Sequence, residues 1–93
     1  MGVAPVCKVK VEAVENGLIP SGKVVTIKTV TGVLEEVAVS GTLVDQPNRI
    51  LSASRIHLDD KIALIESPRE AVSGRWRVMV ERGALVERVA PWF

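Results

Sequence analysis

Apolar residues recur at every second position in short runs along this chain, and turn-forming residues cut those runs roughly every eight to twelve positions. From Val6 to Val14 the odd positions hold Cys7, Val9, Val11 and Ala13, with Lys8, Lys10 and Glu12 between them. A strand turns successive side chains to opposite faces, so this run reads as one half-buried strand with a charged outer side. Lys23–Val30 repeats the pattern, with Val25 and Ile27 on one face and Thr26 and Lys28 on the other. Val33–Ser40 aligns Val37 with Val39, while Glu35 interrupts the alternation, so Glu35-Glu36 reads as a bulge or a charged sheet edge. Composition agrees: seventeen Val and six Ile stand against one Phe and no Tyr. β-Branched side chains suit a pleated surface and lose rotamer freedom in a helix.

The second half is less regular. Arg49–Ser54 and Arg55–Leu58 read as one kinked strand or two short ones, and Asp59-Asp60 turns the chain into Lys61–Glu66. That run is apolar at nearly every position, the pattern of a central strand covered on both faces. Ser67-Pro-Arg-Glu70 has the form of a capping box with proline at the first helical position, which predicts one helical turn near 67–73 that closes at Gly74. Arg75–Glu81 is a further strand, and Ala84–Val89 a last strand or a 3₁₀ piece. Six or seven short strands in 93 residues predict an all-β single domain over 1–93, a small barrel of SH3-like size. A flexible start over 1–5 and an aromatic tail over 90–93 complete the expected organisation.

Twelve Lys+Arg against eleven Asp+Glu leave a formal charge of +1, so a polyanion partner would need a local basic patch. The single thiol, Cys7, allows neither an internal disulfide nor a thiolate-cluster metal site and suits a reducing compartment. No run approaches ~18 apolar residues, and the first residues lack the signal-peptide pattern. A soluble cytoplasmic protein without membrane contact is expected.

Four motifs bear on chemistry. Gly17-Leu-Ile-Pro-Ser-Gly22-Lys23 matches the glycines and lysine of a phosphate-binding loop. Val24 stands where the Mg²⁺-binding hydroxyl belongs, and Pro20 removes an amide donor, so a plain turn is the expected reading. His57 is the only histidine; it alternates outward beside Asp59-Asp60, while Cys7 faces the inferred core. No nucleophile–base pair, acid–base pair or clustered ligand spacing emerges, so no catalytic residue, metal or cofactor is expected. In Arg75–Glu81, period two assigns Trp76, Val78 and Val80 to the core and Arg75, Arg77, Met79 and Glu81 to the surface. Pro91-Trp92-Phe93 offers an aromatic anchor that serves either the chain's own core or a partner.

The leading expectation is therefore a non-catalytic binding or assembly module with a protein partner or self-association, a homodimer being one form of it. Its candidate surface is Arg69, Arg75, Arg77, Met79, Trp92 and Phe93. The alternative is a nucleic-acid-binding barrel using Arg75 and Arg77 with Arg69, Arg55, Lys8 and Lys10. It is not favoured, because Glu66, Glu70, Glu81 and Glu87 are interleaved with the arginines. A small metal-dependent or hydrolytic enzyme centred on His57 is the third reading.

Overall fold

The computed structural model describes residues 5–86. In chain order the strands are β1 (Val6–Lys10), β2 (Ala13–Asn16), β3 (Gly22–Lys28), β4 (Leu34–Ser40), β5 (Val44–Asp45), β6 (Ile50–Leu58), β7 (Ile62–Glu66) and β8 (Arg77–Glu81). The expected first strand is broken in two. Val11 donates its N–H to the Arg49 carbonyl and Glu12 donates to Thr26, so the chain leaves one sheet at Val11 and enters the other at Glu12.

All strand pairs are antiparallel. The larger sheet has five strands, β1-β6-β7-β8 with β5 also on β6, and the smaller has three, β2-β3-β4. The sheets share one core: Val9, Leu51, Ile65 and Val80 from the larger meet Val25, Ile27 and Val37 from the smaller, all fully buried. This core is aliphatic, with no aromatic side chain among the described residues. Short branched residues pack two sheets closely, as the period-two runs of valine imply.

The SH3-like barrel expected from size and strand count does not form. Both sheets are open: beyond its ladder, the outer edge of β1 has only a single bridge, Val9 with Leu85, and that of β4 only a single bridge, Val37 with Ala71, among the described residues. Closure needs a continuous ladder around the circumference. Here the segments opposite the free edges are a 3₁₀ turn, Arg82–Ala84, and an irregular connection over 67–76.

The predicted helical turn over 67–73 is also absent. The Ser67 N–H donates to the Trp76 carbonyl, and its hydroxyl donates to the carbonyls of Arg69 (2.6 Å) and Trp76 (3.2 Å). A serine committed to closing a loop on its far end cannot cap a helix. Helical geometry appears instead as 3₁₀ turns at Gly41–Leu43 and Arg82–Ala84. The stretch expected as one kinked strand or two short ones resolves as the single strand β6, Ile50–Leu58, with a bulge between Arg55 and His57. β7 is central, with Ala63 and Ile65 buried but Ile62 and Leu64 only half-buried, so one of its faces is incompletely covered. Among the described residues no helix is long and apolar enough to cross a membrane.

Candidate functional site

The incompletely covered face of β7 lies beneath a groove of about 460 Å³ between the β3–β4 turn and β8. One wall is the turn itself. Thr29 N–H donates to Val33, Gly32 N–H donates to Thr29, and Gly32 sits at φ +87°, which makes a three-residue hairpin loop with its glycine in the left-handed region. The Thr29 hydroxyl also donates to the Val33 carbonyl (2.9 Å). Val30 N–H reaches across to the Met79 carbonyl at 2.9 Å, which pins the turn against β8. Val30 and Val33 line this wall, Leu64 and Val78 lie deeper, and Arg75, Arg77 and Met79 form the opposite side.

β8 alternates as expected: Val78 and Val80 are buried, while Arg77, Met79 and Glu81 point outward. Met79 is 40% exposed. Arg77 donates through Nε to Glu66 Oε1 at 3.1 Å, and the two residues are directly opposed in the β7–β8 ladder. Trp76 departs from expectation. It precedes β8, its carbonyl is used in closing the 67–76 connection, and its side chain is 48% exposed rather than buried. Alternation assigned it to the core, and that assignment fails because the strand begins only at Arg77.

Of the two readings of Glu35-Glu36, the sheet edge holds, since β4 is the outer strand of the three-stranded sheet. β4 alternates without a bulge, and Glu35 occupies the buried face in line with Val37 and Val39, only 5% exposed. Leu34 is correspondingly exposed. The Ser73 hydroxyl donates to Glu35 Oε1 at 2.5 Å, and Arg75 Nε stands 3.9 Å from Oε2. A buried carboxylate needs such partners, because an uncompensated charge away from water is strongly penalised. Glu35 thus ties the 67–76 connection to β4 and places Arg75 on the groove rim. Its period-two register with Val37 and Val39 was the available signal.

Of the predicted surface, Arg75, Arg77 and Met79 come together on the groove. Arg69 does not line it; it lies in the 67–76 connection, exposed, with its carbonyl taken by Ser67. Trp92 and Phe93 lie outside the described residues. The basic residues of the nucleic-acid alternative do not form one stripe. Lys8 and Arg55 flank a different depression beside Cys7 and Leu58, and Lys10 lines a third.

His57 is exposed, with Nε2 3.8 Å from Asp59 Oδ2. Burial pushes the Cys7 thiol up, against a smaller opposing effect of Arg55. No group of three or more His, Cys, Asp or Glu side chains is placed to hold a metal ion among the described residues. The glycine-lysine motif is the β2–β3 turn, with Lys23 Nζ donating to Asn16 Oδ1 at 2.7 Å. That turn carries a feature the sequence argument passed over: Leu18 is 106% exposed and Ile19 62%. No protein-family model matches the chain, and no curated protein or solved structure is significantly similar to it.

Proposed function

We propose that this chain is a non-catalytic binding and assembly module of the cytoplasm that takes an apolar segment of a protein partner into the groove between the β3–β4 turn and β8. The observation that carries this reading is the pairing of an apolar groove with a basic rim. Val30, Val33 and Met79 offer hydrophobic contact, Arg77 is held at the edge by its hydrogen bond to Glu66, and Arg75 stands exposed 3.9 Å from Glu35. Apolar pockets with a few placed polar groups are the usual form of a recognition site. Rim charges select the partner and steer its approach more than they add affinity. The same two carboxylates offset the arginines, which favours a peptide over a polyanion.

Selection of displayed heptapeptides against the folded protein tests the reading. Selected sequences are expected to be aliphatic with an acidic residue, and Met79→Glu is expected to weaken them at least tenfold, as burial of one apolar side chain implies. Val33→Lys, on the opposite wall, should do the same. Peptides that bind both variants as well as the unaltered chain would place binding elsewhere.

A further inference from the structure

We infer that the occupant of this groove is the β2–β3 turn of a second copy of the same chain, an inference that rests on the groove being a docking site. Leu18 and Ile19 stand in water on a turn that is built rather than loose. Gly17 N–H donates to Gly22 and Gly22 N–H donates to Ile19, both at 3.0 Å, while Gly41 N–H holds Ser21 at 2.7 Å. A Cβ on Gly17 would lie 3.0 Å from the Gly22 carbonyl carbon, so the close approach of the two strands requires glycine there. Pro20 restricts the backbone further. A pre-shaped pair of exposed aliphatic side chains loses little freedom on docking.

The groove fits such a knob in size and charge. A dry cavity of ~150 Å³ takes a benzene ring, so about 460 Å³ leaves room for the Leu18 and Ile19 side chains. Glu15, exposed near the base of the knob, has no ion pair among the described residues. On the groove rim Arg75 has its side chain 73% exposed and only a 3.9 Å contact to Glu35. Docking the knob sets the unpaired Glu15 carboxylate against Arg75, the rim arginine without a hydrogen bond to a carboxylate among the described residues; Arg77 is already paired with Glu66.

The topology excludes self-docking. The knob precedes β3 and the Thr29–Val33 turn follows it, so seven residues of extended strand, roughly 23 Å, separate them. A copy cannot fill its own groove, but it can fill a neighbour's along the direction of β3. The contact is head-to-tail, so each copy uses its knob on one neighbour and its groove on another, producing an open chain or a ring. Two anchor side chains bury far less than the ~1,200 Å² of a stable complex, which puts the dissociation constant on the order of 0.1–1 mM.

Sedimentation of the full chain provides the test. The expected result is a monomer at ~10 μM and a weight-average mass at least doubled at ~1 mM, from mass action at that affinity. Leu18→Asp and Met79→Glu should each reduce association at least tenfold; Val33→Lys replaces Met79→Glu if the latter unfolds. Mixing a Leu18→Asp variant with a Met79→Glu variant leaves one intact knob and one intact groove. The mixture should form a 1:1 dimer and stop there. A monomer at ~1 mM, association that survives Leu18→Asp, or a mixture that stays monomeric would each overturn the inference. If selected peptides still bind the groove in a Met79-dependent way, the wider binding-module reading stands even then. If they do not, both fall.

Discussion

Replacing Ser73 with alanine should destabilise the fold more than its exposed position suggests. Among the described residues the hydroxyl is the one hydrogen-bond donor to the Glu35 carboxylate, at 2.5 Å, and Glu35 is 5% exposed. Removing a donor to a buried charged group costs about 1.5–3 kcal/mol, because the acceptor keeps its desolvation penalty and loses its partner. Arg75 compensates little: at 3.9 Å it lies beyond hydrogen-bond range, and it is largely in water. With an m value near 1 kcal/mol/M for a chain of this size, the urea midpoint should fall by about 1.5–3 M. Glu35→Leu should behave in the opposite way. It places an aliphatic side chain in line with Val37 and Val39, and removing a buried charge in favour of packing is often neutral or stabilising. Ser73→Ala in the Glu35→Leu background should then have almost no effect, and the double-mutant cycle isolates the pair. A neutral Ser73→Ala substitution, or equal effects in the two backgrounds, would refute the claim that Glu35 is held by Ser73.

Four further outcomes follow from single features. Gly32→Ala meets nothing within 4 Å but must adopt φ +87°, so it should cost about 1–2 kcal/mol in denaturant unfolding. Gly83→Ala, equally unobstructed and without a positive φ, should be neutral or slightly stabilising. The N–H groups of Ile62 and Lys61 donate to Asp59 Oδ1 at 2.8 Å and hold its carboxyl below the ordinary carboxylate range, with His57 and Arg82 adding to the effect. A depressed folded-state value means that this stabilisation is present above the unfolded value of ~3.9 and is lost as pH falls through the folded one. Asp59→Asn should therefore flatten the acid limb of the urea midpoint measured from pH 6 to 2. Trp76→Ala should cost well under the ~3–5 kcal/mol of a buried tryptophan, since nearly half of it is in water.

The alternation of Val9 and Val11, and of Val25 and Ile27, was enough to identify the inner faces, because burial leaves period two in a strand whatever its neighbours are. The outward placement of His57 was legible for the same reason, whereas β7 was read as central from its continuous apolar run, which overstated the cover on one of its faces. Closure was not. Whether β1 and β4 find continuous partners depends on how the 67–76 and 82–86 segments run, and no local pattern encodes that. Ser67-Pro-Arg-Glu70 carries the residues of a helix start, yet the long-range bond to Trp76 competes for the same hydroxyl and wins. Trp76 shows that period two assigns a face but not the point where a strand ends. Glu35 shows the limit of hydropathy: register placed it inside, its charge argued for an edge, and Ser73, 38 positions away, resolves the conflict. The groove residues Arg75, Arg77 and Met79 were visible as an outward strand face. Their partners on the Thr29–Val33 turn come from a different sheet and have no signature of their own.

The central claim is that the Leu18–Ile19 turn of one copy enters the groove of another, and amide chemical shifts recorded at ~50 μM and ~1 mM test it most directly. The predicted result is concentration-dependent shifts confined to two sets, 15–23 and 29–35 with 75–81, with both sets changing along one binding curve. Invariant shifts, or shifts confined to β1 and β5, would contradict it.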